Sequence, residues 1–185
     1  MKRFGWLLLL LFFTGCTGKT EEIERGMALR SRLLSAESCS FDAEISADYG
    51  DKVYTFTLSC VGNAKGDLVF EVKQPESISG ITGKIDNHGG KLTFDDTVLH
   101  FDLMADDQIS PISAPWILLK TIRSGYLRSA GMEDEYLRLT IDDTYEEDAL
   151  QLDIWLGEGD LPVRCEMLYG DRRILSLNVS NFQIL

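Results

Sequence analysis

Apolar and polar residues alternate along most of the chain with a period of two, the spacing that places every second side chain of a β-strand on one face. The alternation begins at Cys39 and continues, interrupted by glycine-rich and acidic turns, almost to the C-terminus. It predicts strands over 39–46, 54–60, 68–72, 81–85, 92–94, 99–103, 137–141, 150–156, 163–167 and 173–182. Because each strand has one apolar face, we expect an antiparallel sheet with one buried side.

Two segments have helical spacing instead. The first runs from Thr20 to about residue 36, and its acidic start suits the positive end of the helix dipole. Its predicted apolar stripe consists of Ile23, Met27, Leu33 and Leu34. The second runs from Ser113 to about Ser129 and is closed by Gly131. Apolar residues occupy most of its circumference, which indicates a helix buried in the concave side of a curved sheet.

A short apolar run, Leu7 to Phe13, precedes all of these elements and follows Lys2 and Arg3. The run is too short to cross the ~30 Å core of a bilayer as a helix, and a basic start before such a run is typical of a secretory signal peptide. The exit of the run, Thr14-Gly15-Cys16, resembles the lipobox of bacterial lipoproteins. In that motif the cysteine sulfur is acylated and the chain is cut just before the cysteine.

The lipobox divides the chain into three predicted parts. These are a signal peptide over 1–15, an acylated cysteine with its tether over 16–20, and a single domain over 21–185. The alternative is an ordinary signal peptide in which Cys16 is incidental. Acylation would attach the protein to the cell membrane at its extracytoplasmic face, since two or more acyl chains hold stably where one holds marginally.

The excess of acidic residues restricts the classes of partner that the protein can bind. The chain has 18 basic and 30 acidic residues, and two of the basic residues leave with the signal peptide. Nucleic acids and anionic lipid surfaces both require basic patches on a protein. We therefore expect no nucleic-acid partner, and we expect the acyl chains of Cys16 to provide the attachment to the membrane.

Two cysteines fall on the apolar face of the first predicted hairpin. Folding the chain about the turn at 49–50 places Cys39 opposite Cys60 and keeps every apolar side chain on one face. Directly opposed strand residues are close enough for a disulfide, which would persist outside the cytoplasm. The sequence is equally consistent with two buried thiols. Cys165 lies on the inward face of its strand and is expected to be a buried free thiol.

The chain offers little material for catalysis. His88 lies in a glycine-rich turn, His100 lies on the outward face of a strand, and neither has a serine or cysteine motif nearby. The acidic run from Asp142 to Asp148 lacks the spacing of a calcium-binding loop, and no two cysteines form a Cys-x-x-Cys pair. We expect a protein that is not an enzyme and that has no metal or cofactor.

The order of elements resembles that of the LolA/LolB-like lipoprotein-carrier superfamily, which includes the germination lipoproteins of spore formers. The segment 66–76 with its proline, the strand at 81–85 and the Gly-Gly turn and strand at 89–94 look like that superfamily's strand, proline, strand, turn, strand sequence. The resemblance implies an α+β fold in which a curved antiparallel β-sheet, a half-barrel, is wrapped around two main helices. It also implies an apolar cavity that can accept acyl chains.

Two functions follow as expectations. The first is binding of a lipid, an acyl chain or another apolar ligand at the membrane surface. Its predicted cavity is lined by Phe56, Phe70, Phe101, Trp116, Leu119, Ile122 and Tyr126, although the same residues can simply fill a core. The second is a non-catalytic interaction lipoprotein that holds or activates a cell-envelope enzyme, for example one of the spore cortex. That function predicts an exposed apolar or acidic patch, or a homodimer interface.

Overall fold

The structure is a computed structural model that describes residues 18–48, 52–105, 108–146 and 149–185. The predicted signal peptide and Cys16 lie outside these residues. The described part of the chain contains two α-helices and thirteen strands. They are α1 (Gly18–Ser35), β1 (Ser38–Asp48), β2 (Val53–Asn63), β3 (Leu68–Gln74), β4 (Thr82–Asp86), β5 (Gly89–Phe94), β6 (Thr97–Phe101), β7 (Met104–Ala105), β8 (Gln108–Ile109), α2 (Ala114–Ser124), β9 (Tyr126–Glu133), β10 (Tyr136–Asp142), β11 (Leu150–Leu156), β12 (Pro162–Tyr169) and β13 (Arg172–Ile184).

Eleven strands form one antiparallel sheet in the order β6-β5-β4-β3-β2-β1-β13-β12-β11-β10-β9, and β7 and β8 form a separate short hairpin. Neighbours in the sheet follow each other in the chain except at the centre, where β1 pairs with β13 and joins the two halves. The sheet is curved and not closed. The predicted α+β class and curved antiparallel sheet are therefore confirmed. The helices contact mainly β2, β9, β10 and β13, so they cover part of the apolar face.

Helix α1 packs through a different face from the predicted one. Leu29 and Leu33 are buried, and Gly26 lies so close to the sheet that a Cβ atom there would be 3.0 Å from Leu139. The other three members of the predicted stripe are exposed, namely Ile23, Met27 and Leu34. The absence of a side chain at Gly26 explains the difference, because it lets the helix approach the sheet closely on the face that also carries Leu29 and Leu33.

Helix α2 ends at Ser124, well before its predicted end. A Cβ atom at Gly125 would lie 2.6 Å from a backbone oxygen at the end of β10, so the strand approaches too closely for the helix to continue with a larger residue. Arg30 of α1 donates hydrogen bonds to the carbonyl oxygens of Ile122 (2.6 Å) and Gly125 (2.7 Å), where a cation is favoured by the helix dipole. The prediction of helix beyond this point is wrong, and Tyr126 begins strand β9.

The hairpin of β1 and β2 has a register two residues away from the predicted one. Cys39 pairs with Gly62, and Cys60 pairs with Phe41. A Cβ atom at Gly62 would lie 2.6 Å from Leu119, so this register places the residue without a side chain directly under α2. A shift of two residues leaves every apolar side chain on the same face, which is why the alternation alone did not exclude it.

The new register separates the two cysteines. Cys39 and Cys60 are diagonal neighbours, and the Cα atoms of such a pair are roughly 7–8 Å apart, beyond the reach of an unstrained disulfide. Both are free and buried, as is Cys165, so the expectation of a direct disulfide gives way to the alternative of buried thiols. Burial raises the pKa of all three thiols, which disfavours the reactive thiolate.

The turn between β5 and β6 gives a test of stability. Folding the chain about the acidic turn Asp95-Asp96 predicts that Leu92 pairs with Leu99 on one apolar face, and the structure confirms this pairing. Asp95 and Asp96 connect the strands with φ angles of 46° and 61°. Asn-Gly is the sequence that such a turn favours, so Asp95→Asn/Asp96→Gly is expected to raise the free energy of unfolding by about 0.5 to 1 kcal/mol in urea denaturation. The control Asp95→Ser/Asp96→Ser removes the same charges without favouring positive φ, and a gain as large in this control would contradict the explanation.

Candidate functional site

The apolar face of the sheet extends beyond the two helices at the β3–β6 end. Phe70 on β3 is fully buried, Leu92 and Phe101 on β5 and β6 are half-buried, and Phe94 and Leu99 are 59% and 61% exposed. The pairings of Gly90 with Phe101 and of Leu92 with Leu99 place these side chains on the face that continues into the core. We call Leu92, Phe94, Leu99 and Phe101 the open face.

Two glycines form the floor of this region. A Cβ atom at Gly83 would lie 2.3 Å from the ring of Phe70, and one at Gly90 would lie 2.0 Å from the ring of Phe101. Each ring therefore lies over a glycine of the neighbouring strand, an arrangement that protects a glycine within a sheet. Because the ring of Phe101 lies against the backbone of β5, the open face is a shallow apolar surface.

The residues predicted to line one cavity are distributed over three environments. Phe70, Trp116, Leu119 and Ile122 are buried in the core, Phe56 and Phe101 are half-buried, and Tyr126 is exposed on strand β9. The indole nitrogen of Trp116 donates to the carbonyl oxygen of Gly66 (2.9 Å), and the ammonium group of Lys120 lies 5.3 Å from the indole ring. These contacts fix Trp116 as a structural residue.

Of the predicted set, Phe101 belongs to the open face, and the other three residues of that face were not predicted as site residues. The Leu92–Leu99 pairing was available from the alternation. What was missing was the length of sheet that the helices cover, which depends on contacts far apart in the chain.

The open face ends at an unprotected sheet edge. Within the described residues, β6 pairs with β5 alone, and Thr97 to His100 are exposed. The strand contains no acidic residue, lysine, arginine or proline, the residues that commonly prevent an edge from pairing with another chain. The edge can therefore accept a further strand.

The opposite face of the sheet carries a network of charged side chains. Asp153, which is 2% exposed, accepts hydrogen bonds from Arg138 (2.6 Å) and from the hydroxyl of Thr140 (2.8 Å). Arg138 also donates to Glu133 (2.8 Å), and this hydrogen bond lowers the pKa of the Glu133 carboxyl group. The indole nitrogen of Trp155 donates to the same carboxylate (3.2 Å). These groups pair with one another, as in a network that stabilises the sheet.

Among the residues that the structure describes, no three histidine, cysteine or carboxylate side chains converge where a metal ion could bind. No helix within 18–48, 52–105, 108–146 or 149–185 has both the length and the apolar composition needed to cross a bilayer.

Comparison with known proteins gives matches in structure alone. No protein-family model and no curated protein sequence matches the chain. A LolA superfamily protein from Nitrosomonas europaea matches with 9% identity, 92% of this chain, 94% of the other and a TM-score of 0.47. Lipoprotein LppX from Mycobacterium tuberculosis matches with 12% identity, 88% and 93% coverage and a TM-score of 0.42. A chain of the complex between the CwlD amidase and the GerS lipoprotein from Clostridioides difficile matches with 11% identity, 92% and 99% coverage and a TM-score of 0.44.

These matches concern the overall course of the chain, and the identities are too low to transfer a residue's role. Each match is a likeness in the course of the chain at a TM-score below 0.5, and no family is assigned to the chain from it.

Proposed function

We propose that the chain is a non-catalytic, lipid-anchored extracytoplasmic protein that binds an acyl chain or another apolar ligand on its open face. The observation that supports binding is the continuation of the core face into solvent at Leu92, Phe94, Leu99 and Phe101. A ligand that covers this surface removes apolar area from water, which is worth about 0.8 kcal/mol per buried CH₂ group.

The proposed anchor would hold the domain at the membrane. Helix α1 is described from Gly18, two positions after Cys16 in the sequence, and it packs mainly on β9, at the opposite end of the sheet from the open face. The proposed acyl chains and the ligand would therefore occupy different parts of the protein.

A pair of neighbouring residues on β6 provides a direct test. Leu99 lies on the open face, and Val98, which is 51% exposed, lies on the other face of the same strand. Leu99→Lys is expected to abolish the recovery of bound lipid when delipidated protein is incubated with a membrane lipid extract and measured by native mass spectrometry. Val98→Lys is expected to keep it, because its side chain points away from the ligand.

Two results would contradict lipid binding. One is recovery of no lipid by the unmodified protein under conditions that load a known lipid carrier. The other is equal lipid recovery by the Leu99→Lys and Val98→Lys proteins, provided that both keep the melting temperature of the parent.

The second candidate function is a complex with an envelope protein or with a second copy of this chain, and the unprotected edge of β6 favours it. A strand added to β6 would place side chains on both faces, so Val98→Lys and Leu99→Lys would both weaken the complex. Sedimentation equilibrium tests the homodimer, and crosslinking on intact cells tests an envelope partner. An acyl ligand and a partner strand are thus distinguished by the behaviour of the Val98 variant.

A further inference from the structure

A pocket of about 580 Å³ lies where strands β9 and β11 begin and β10 ends. Its lining residues include Tyr126, Arg128, Asp142, Tyr145, Gln151 and Asp171. Tyr126 pairs with Asp142, which pairs with Gln151, and the residues that alternate with them, such as Ile141 and Leu152, are buried in the core. The pocket therefore lies on the opposite side of the sheet from the helices and the open face.

Two tyrosines form its aromatic wall. The ring centroids of Tyr126 and Tyr145 are 5.2 Å apart, with an interplanar angle of 44°. Tyr145 is 86% exposed and Tyr126 is 49% exposed, so both present ring surface to solvent. A tyrosine ring combines an apolar face with a polar hydroxyl group, which suits a ligand that has both kinds of surface.

The remaining walls contain donors and acceptors in close alternation. The Nε atom of Arg128 lies 3.5 Å from a carboxylate oxygen of Asp142, and Nη1 of Arg128 donates to the side-chain oxygen of Gln151 (3.3 Å). Asp171 and Glu146 add carboxylate oxygens at the rim. The three carboxylates outnumber the single guanidinium group, which disfavours an anionic ligand such as a phosphate.

We propose that this pocket binds a neutral saccharide of one or two sugar units. Sugar hydroxyl groups both donate and accept, so they match an alternation of carboxylate, amide and guanidinium groups, and their bonds to the charged groups are the stronger kind. The apolar face of a sugar ring stacks on an exposed tyrosine. The volume lies in the range of small-molecule sites. The site is separate from the open face, so either can exist without the other.

The test uses the full-length protein in a detergent that has no sugar head group. N-acetylglucosamine, N,N′-diacetylchitobiose and maltose are added in turn, and binding is followed by saturation-transfer NMR and titration calorimetry. At least one of the three is expected to bind weakly. Tyr145→Ala is expected to weaken that binding about tenfold or more, because it removes the most exposed ring. Because the Tyr145 side chain is exposed, its removal is not expected to unfold the protein, and circular dichroism checks that the variant is folded.

The matched control is Tyr136→Ala, a tyrosine at the opposite end of β10 that is 37% exposed. It is expected to bind the saccharide like the parent protein. The proposal is overturned if none of the three saccharides binds, or if the Tyr145 and Tyr136 variants bind equally well. Tighter binding of choline or of inorganic phosphate than of any saccharide, abolished by Tyr145→Ala, would also overturn it, since the pocket would then serve a charged ligand.

Discussion

Asp153→Ala is expected to lower the free energy of unfolding by about 2 to 4 kcal/mol. The buried carboxylate accepts hydrogen bonds from Arg138 and Thr140, and its removal leaves both donors without that partner on a crowded face of the sheet. Arg138 keeps Glu133, and it is partly exposed, so part of its charge is solvated after the substitution. Urea denaturation at neutral pH measures the loss, and an unchanged slope shows that the unfolded state is unaffected.

Asp153→Asn is the informative control for this prediction. The amide keeps one acceptor for Thr140 or Arg138 but has no charge, so its loss of stability should lie between those of the alanine variant and the parent. Glu135→Ala, an exposed carboxylate in the turn before β10, should change stability by less than about 0.5 kcal/mol. A loss for Asp153→Ala as small as that for Glu135→Ala would show that the network does not stabilise the sheet.

The alternation of apolar residues predicted most strands because each has one buried face, and that face decides which side chains point inward. The alternation cannot choose between two pairings of strands that bury the same side chains. The β1–β2 register is such a case, since pairing Cys39 with Cys60 or with the next inward position buries the same residues. Gly62 decides between them through its contact with Leu119 of α2, and this contact joins parts of the chain that no local pattern connects.

The end of α2 is a second feature that the local sequence does not determine. The apolar residues between 116 and 127 suit a helix and also suit a helix followed by a strand, because Tyr126 and Leu127 fit either period. The close approach of β10 at Gly125 and the hydrogen bonds from Arg30 determine the boundary, and both come from distant parts of the sequence. Tyr126 was therefore predicted in the apolar cavity, whereas in the structure it lies on the outer face of β9 and lines the polar pocket.

The open face was predicted only in part. Phe101 was predicted to contact a ligand, and the pairing of Leu92 with Leu99 beside it was predicted correctly. The exposure of Leu99 and Phe94 was not predictable, because it depends on how far two helices extend across eleven strands.

Gly90→Ala is expected to disrupt the open face and to lower the free energy of unfolding by about 1 to 3 kcal/mol. The new methyl group would stand 2.0 Å from the ring of Phe101, so the ring must rotate away from the sheet. A displaced ring occupies the space in which the proposed apolar ligand lies, and lipid recovery in native mass spectrometry is therefore expected to fall together with stability. Gly131→Ala is the matched control, because a Cβ atom there meets nothing within 4 Å.

A double-mutant cycle identifies the ring as the cause. If the methyl group acts by displacing Phe101, then Gly90→Ala costs little in a Phe101→Ala background, and the two losses of stability are strongly non-additive. Additive losses of stability would mean that the alanine strains the backbone instead. The packing of Phe101 on Gly90 would then not stabilise the open face. Non-additivity with unchanged lipid recovery would separate the fold from the function, because it would place the ligand away from this ring while leaving the packing argument intact.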